Sequence, residues 1–315
     1  MKNKVLFIFK YPRAWNTSVI ERFSNYYDTE YLYINDYIDK NFVEIVNEIN
    51  QLIESKNIEI VVFDVDYFKF INFFFIKKIN GKKKIIVTGD DFDQHELHSI
   101  TASACDLVLS HDPLSVLKFK EKGYEAHMIN FEISNLQIIN SRKEIDVLFF
   151  GHLTPDRRQF LDYISREGIL VKNVGHHEHI EGLPKDQLIN LISKSKIVLN
   201  LSKSRTTSVL NYASESIYPF YYQFKGRICL SGMTGTACVS EYSPGQEIIF
   251  KEDELQTFFS KEECVSILRK LLSDNGLLEK YTNKFTSRVQ ELWADKESFK
   301  SIYNSIEKTY HRKVK

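Results

Sequence analysis

Short runs of β-branched and aromatic residues alternate with helix-patterned stretches along this chain, and no other feature restricts its fold as much. Such alternation is the mark of parallel sheets with helical crossovers. In the first half, strands are expected at Val5–Phe9, Tyr31–Ile34, Ile58–Phe63, Lys84–Thr88, Leu107–Ser110 and Ala126–Asn130. The helix Asp112–Lys122 carries its own signals: Asp112 caps it, Pro113 suits its first turn and Gly123 ends it. The stretch Glu132–Lys143 is polar and irregular and reads as a linker. A second set follows, with strands at Asp146–Phe150, Leu170–Val174, Lys196–Leu201, Ala237–Glu241 and Glu247–Lys251. Helices are expected at Pro155–Glu167, Lys185–Ser193, from about Gly226, and near Lys261–Ser273, Leu277–Trp293 and Lys296–Tyr310. Ser260 and Glu263 have capping-box spacing. Two α/β halves of similar size point to two Rossmann-like domains facing each other across a cleft. Ligands of such sheets bind beyond the carboxyl ends of the strands. The expected domains are residues 1–138 and 144–295, with a helix over 296–315 that is a candidate to pack back on the first domain.

A chain of 315 residues is long for one domain and comfortable for two. Lys+Arg equals Asp+Glu at 42 each, so no global field favours nucleic acid, and any phosphate binding must be local. Cys105, Cys229, Cys238 and Cys264 show no metal spacing and read as reduced thiols. The start, Met1-Lys2-Asn3-Lys4-Val5, runs straight into a strand and lacks the apolar core of a signal peptide. No window approaches the roughly 20 apolar residues of a membrane span. A cytoplasmic protein is expected.

The segment from Gln223 to Tyr242 is the most chemically informative. Lys225 and Arg227 flank Gly226 at the start of an expected helix. Free N–H groups and a positive dipole end lie there, which with two cations make a seat for a diphosphate. The same three residues also occur in plain surface turns.

The chain resembles group 1 glycosyltransferases of the two-domain GT-B architecture, in the branch typified by spore-maturation (CgeB-like) proteins. The resemblance runs from about Lys84 to the end. It rests on Gly89-Asp90-Asp91, Asp106–Ser110 and Lys122-Gly123-Tyr124 in the first half. In the second half it rests on Asp146–Gly151 followed by Arg157 and Arg158, Lys194–Ser202, Lys225-Gly226-Arg227, and Gly235-Thr236 running into Glu241 and Glu247. It implies sugar transfer from a nucleotide-sugar, a co-substrate rather than a cofactor, to a glycan, lipid-linked or protein acceptor. Neither a resident metal nor a nucleic-acid partner is implied. Lys225, Gly226 and Arg227 would meet the diphosphate, with Arg157 or Arg158 adding charge. Gly151, His176, Thr236, Glu241 and Glu247 would lie near the nucleotide or sugar. The group resembled mostly retains anomeric configuration. Related enzymes often carry a ribose-binding glutamate three residues after the arginine; here that position is Leu230. Either Glu241 or Glu247 takes the role, or donor binding is altered. A non-catalytic nucleotide-sugar-binding module is the alternative.

Other candidates are read from the residues themselves. Asp90 and Asp91 follow an apolar strand and could orient an acceptor hydroxyl, or simply form a helix-capping turn. Asp91 and Asp93 imitate a metal-binding DxD, though the second α/β half has no place in that fold. Asp64-Val65-Asp66 imitates a phosphatase nucleophile turn, with Phe68 where that family wants Thr or Val. His176, His177 and His179 could approach zinc or line a solvated loop. His111 ends a strand, as a proton shuttle or a capping-turn residue. Lys10, Arg13, Trp15 and Asn16 follow the first strand on the acceptor side, where Trp15 could stack on a sugar or pack against the linker. Residues 67–84 mix aromatics with lysines and suit either a lipid headgroup region or a buried helix.

Overall fold

The structure, a computed structural model, describes residues 2–12, 14–37, 39–65, 70–89, 91–130, 141–176, 183–203, 222–294 and 296–313. It divides into two compact units, Met1–Ser134 with Lys296–Lys315, and Asn135–Asp295.

The first unit holds β1 (Lys4–Phe9), β2 (Asp28–Tyr33), β3 (Ile60–Asp64), β4 (Lys83–Thr88), β5 (Leu107–Ser110) and β6 (Ala126–Met128). They form one parallel sheet in the order β2-β1-β3-β4-β5-β6. Side chains of a strand alternate between faces, so one apolar run feeds two cores. Leu6, Ile8, Val61, Phe63, Ile86 and Val108 face one side, with α2 (Phe42–Lys56), α3 (Phe73–Lys78) and α5 (Pro113–Glu121). Val5, Phe7, Phe9, Ile60, Val62, Ile85 and Val87 face the other, with Val19 and Phe23 of α1 (Ala14–Ser24). Phe299, Ile302 and Ile306, from the last helix (Lys296–Lys313), complete that second core. The helix α4 (Asp91–Ala102) follows β4.

The second unit holds β7 (Ile145–His152), β8 (Val171–His176), β9 (Ser195–Asn200), β10 (Ala237–Glu241) and β11 (Gln256–Phe258), parallel in the order β11-β10-β9-β7-β8. Its helices are α6 (Pro155–Arg166), α7 (Lys185–Ser193), α8 (Gly226–Met233), α9 (Gln246–Ile249), α10 (Lys261–Ser273) and α11 (Asn275–Val289), so the last helix is α12. A Cβ on Gly232 would stand 2.4 Å from Val289 Cγ2, so glycine is what lets α8 lie close on α11.

One expected element is different. Residues 247–251 are not a strand: α9 covers Gln246–Ile249, and the edge strand is β11. Gly245, at φ 91°, turns the chain into α9. The Gln246 side chain then bonds Ser243 N and Thr257 Oγ1, which holds the helical turn.

Both sheets are doubly wound, and each reverses strand order once. The switch points lie between β1 and β3 and between β7 and β9, where such sheets open a crevice at their carboxyl ends. Among the described residues, no helix is long and apolar enough to cross a membrane.

Candidate functional site

At the carboxyl end of β7 the chain turns through Gly151, at φ 101°. β9 ends nearby at Asn200, and α8 begins with Lys225 as its N-cap residue. Arg227, in the first turn of α8, reaches across these ends and is only 8% exposed. Its Nη1 donates to Phe150 O at 2.8 Å, its Nη2 to Leu201 O at 2.7 Å and its Nε to Asn200 Oδ1 at 2.9 Å. The guanidinium carbon lies 5.5 Å from the Phe149 ring centroid, within cation–π range. Gly151 makes this passage possible: a Cβ there would stand 2.4 Å from Arg227 Nη1.

Arg157 forms a second clasp from α6, whose first turn is set by Pro155 and by the Thr154 hydroxyl accepting from Arg157 N at 3.3 Å. It donates from Nη1 to His152 O at 2.6 Å, and from Nη2 to Leu201 O at 3.3 Å and Lys203 O at 2.8 Å. Both arginines thus meet at the Leu201 carbonyl. Strand-end carbonyls, whose negative ends would oppose an anion, are drawn onto two cations. Arg158, the next residue, is exposed.

Lys225 and Gly226 are half-buried, and Lys225 Nζ donates to Gln223 Oε1 at 2.6 Å. At the N-terminus of α8 no side chain caps the helix, so the cationic residues gather around backbone N–H groups. Glu241 ends β10, with its carboxylate accepting from Lys203 N at 2.9 Å. Burial raises its pKa, and the backbone N–H groups of Lys203 and Ser202 hold it back down.

Of the residues singled out from sequence, Gly151, Arg157, Lys225, Gly226, Arg227 and Glu241 converge on this switch point. Thr236 does not join them. It precedes β10, at the opposite end of the sheet, where its hydroxyl donates to Ile192 O at 2.8 Å and accepts from Lys143 Nζ at 3.1 Å. Glu247 is exposed on α9 and accepts from Tyr242 OH at 3.3 Å. His176 ends β8, but its side chain lies outside the described residues, as do His177 and His179. Leu230 is buried in α8 at 5% exposure and leaves no acid there. Asn200, Ser202 and Ser240 were missed. Their one sequence signal is a polar residue, Asn200, between leucines in an otherwise apolar strand.

In the first unit, Lys10 follows β1 and is half-buried, with Nζ 5.7 Å from the Tyr11 ring centroid. Asn16 is buried in α1 and donates to Tyr11 O at 3.1 Å. Asp64 ends β3 beside them in the strand order and is buried. Asp90, Arg13 and Asp66, and the side chains of Trp15 and Asp93, lie outside the described residues. Asp91 opens α4 with 0% exposure. Its carboxylate accepts from the Thr88 and Ser110 hydroxyls and pairs with His98 Nδ1 at 2.6 Å. As folded, this acid serves the β4–α4 and β5–α5 turns and has no surface to offer an acceptor. His111 is buried just after β5, its N–H donating to Thr88 O at 3.3 Å. Among the described residues, no group of three His, Cys, Asp or Glu side chains could hold a metal ion.

The comparisons with known proteins bear on this arrangement. A search of curated proteins returns no match. Solved structures similar over nearly the whole chain include Anabaena HepE in complex with UDP and glucose, at 11% identity and a TM-score of 0.61, covering 97% of this chain and 100% of that one. The lipopolysaccharide outer core galactosyltransferase WaaB, in its apo form, matches at 12% identity and a TM-score of 0.60, covering 97% and 99%. A chain from Listeria monocytogenes assigned as a UDP-N-acetylglucosamine 2-epimerase matches at 12% identity and a TM-score of 0.55, covering 93% and 95%. At these identities the likeness shows the fold, the two Rossmann-like domains of the GT-B architecture, and no more. The family profile described as glycosyl transferase-like goes further, for it matches residues 137–294, just over half of the chain and nearly the whole second unit. The chain belongs to this glycosyl transferase-like family.

Proposed function

We propose that the protein transfers a sugar from a nucleoside-diphosphate donor seated at the β7/β9 switch point. The observation that carries this is the convergence of Lys225, Gly226, the α8 N-terminus and the two carbonyl-clasping arginines on one crevice. Lys225 and the α8 N–H groups meet the diphosphate, and Arg157 and Arg227 supply positive potential from beneath. Glu241 takes the ribose hydroxyls in place of the acid that Leu230 lacks. HepE, a fold neighbour, holds UDP and glucose, which makes UDP the first probe.

The chain's own groups stabilise the charge that grows on the leaving diphosphate, in the manner of a preorganised anion hole. We place the enzyme in the CgeB-like branch and assign a retaining reaction. The bond from the anomeric carbon to the diphosphate oxygen breaks, the acceptor oxygen bonds on the same face, and the acceptor proton passes to the leaving diphosphate. No divalent ion is required, so transfer should survive EDTA. Complete loss with EDTA, restored by Mn²⁺ or Mg²⁺, would sink that part. The acceptor, a glycan, lipid-linked molecule or protein, is assigned to the first unit, through Lys10, with the buried Asn16 holding the Tyr11 carbonyl of the same loop.

A peripheral membrane contact is proposed for the same unit. Phe74 of α3 is 72% exposed beside Lys77, whose Nζ lies 5.5 Å from the Phe73 ring centroid, while Phe75 and Ile76 are core. Flotation with anionic vesicles at low salt should carry the protein; no cosedimentation removes the contact.

The decisive experiment is a thermal-shift panel of UDP, GDP, ADP and CDP, followed by sugar release from the matching nucleotide-sugars. A native-state ligand raises the melting temperature by mass action. No shift with any of them would overturn the donor reading. Binding without release or transfer would favour the second reading, a non-catalytic nucleotide-sugar-binding module, which the buried Leu230 motivates.

A further inference from the structure

Asn200 is fully buried at the end of β9 and stands in the middle of one continuous hydrogen-bond chain. Its Oδ1 accepts from Arg227 Nε at 2.9 Å. Its Nδ2 donates to Ser202 Oγ at 3.0 Å and to Ser240 Oγ at 2.9 Å. Both hydroxyls donate onward to the Glu241 carbonyl, at 2.7 and 2.8 Å. The Glu241 carboxylate is fixed from its other side by Lys203 N at 2.9 Å, and the Lys203 carbonyl by Arg157 Nη2 at 2.8 Å. Through Arg227 the chain also reaches Phe150 O. The carboxyl ends of β7, β9 and β10 are therefore tied through one amide.

The chemistry required of that side chain is narrow. It must accept from a cation and donate to two hydroxyls at once, over the length of one short side chain. A primary amide does both. A carboxylate accepts only, a hydroxyl has a single proton, and leucine has neither. With aspartate at 200 the Arg227 bond would persist. Ser202 and Ser240 would turn their protons toward the new carboxylate, and the Glu241 carbonyl would lose both donors.

We propose that Asn200 is a positioning residue that sets the Arg227 guanidinium and the Glu241 carboxylate as one unit. The phosphate end and the hydroxyl-binding end of the crevice then keep a fixed separation. The inference rests on the donor reading above and deepens it. The ligand property that depends on Asn200 is recognition of a ribose, since Glu241 accepts hydroxyl protons while Arg227 answers the diphosphate.

The test uses the full-length protein with UDP and 2′-deoxy-UDP as probes in calorimetric titrations. The parent should prefer UDP. Asn200→Asp should weaken both nucleotides, because a carboxylate on Arg227 offsets its charge, and should weaken UDP about tenfold more than 2′-deoxy-UDP, the worth of one lost neutral hydrogen bond. Glu241→Gln should lower the preference for UDP by a like factor, and the preference of the double variant should be no lower than that of either single one. An unchanged preference in Asn200→Asp, or additive effects in the double variant, would overturn the proposal. If Asn200→Asp folds poorly, Ser202→Ala with Ser240→Ala breaks the chain one link later and must show the same loss of preference. If the parent binds neither, the nucleotide found in the thermal panel and its 2′-deoxy form replace them; if it binds none of the panel, the donor reading fails on its own. The tie is then judged without ligand, by a stability cycle of Asn200→Asp against Ser202→Ala with Ser240→Ala. Non-additive melting shifts sustain it and additive ones refute it.

Discussion

Arg227 ties the carboxyl ends of β7 and β9 to α8, where the donor is proposed to bind. Its three acceptors are buried strand-end groups, so Arg227→Ala takes one donor from each and should lower stability as well as donor affinity. Lys225 is different, because it is half-buried and its Nζ bonds another side chain. Lys225→Ala should weaken the donor roughly 10- to 150-fold, the worth of one charge-assisted hydrogen bond, with little change in melting temperature. Titration of the nucleotide found in the thermal panel checks this, and unchanged affinity would move the phosphates elsewhere. Leu230→Ala should act through packing, costing about 2–5 kcal/mol as buried leucines do, and denaturant unfolding reads it. The sequence marked Gly226 between two cations at a helix start, and α8 does begin there. It could not show that Arg227 points down into the strand ends while Lys225 stays at the rim, because that depends on the partners met in three dimensions.

At the scale of elements, α4 and α5 carry two buried groups with opposite pH responses. The His95 ring lies tilted 4.5 Å from the Phe119 ring, and burial pushes its pKa from 6.5 down to about 4. Asp112, the N-cap of α5, is pushed by burial from 3.8 up to about 6. Between those two His95 values the unfolded chain binds a proton that the folded chain refuses, so stability rises with pH. Between the two Asp112 values the folded chain keeps a proton that the unfolded chain has released, so stability falls with pH. The two slopes oppose in the parent. Relative to it, Asp112→Asn should make the melting temperature climb more steeply from pH 4 to 6.5, and His95→Gln should make it climb less or fall. Parallel melting curves for all three proteins would refute the assignment. Asp112 and Ser260 were legible as caps because a cap is local chemistry: each accepts from an N–H three residues on, at 2.8 and 3.1 Å. The misplaced strand at 247–251 has the converse cause. Its residues have strand-like composition, but Gly245 and the Gln246 side chain spend them on a helical turn, and the edge of the sheet is taken by Gln256–Phe258.

For the molecule as a whole, α12 is the element that belongs far from its place in the chain. Phe299 packs at 4.9 Å on Phe23, Tyr303 at 4.9 Å on Tyr26, and Lys83 Nζ donates to the Ser305 and Ile306 carbonyls. A chain ending at residue 295 should therefore lose the cooperative unfolding of the first unit while Asn135–Asp295 keeps its own transition and its nucleotide response. Calorimetry with amide exchange decides; unchanged protection of β1 and β3–β5 would refute it. The sequence by itself determined two parallel α/β sheets, because crossover units write their strand–helix alternation into local composition. It also determined where α8 starts, with Gly226 between Lys225 and Arg227, since glycine and flanking cations are contiguous. Only the tertiary structure decided the strand orders, and hence the two switch points, the buried state of Asp91, the displacement of Thr236 to the far end of β10, and the placement of Asn200 between Arg227 and the hydroxyls that bond the Glu241 carbonyl. These facts depend on contacts between separate elements, such as Asp91 with Ser110, Asn200 with Ser240 and Arg227 with Phe150. Such contacts are chosen by the packing of the whole sheet and leave no periodicity in the chain.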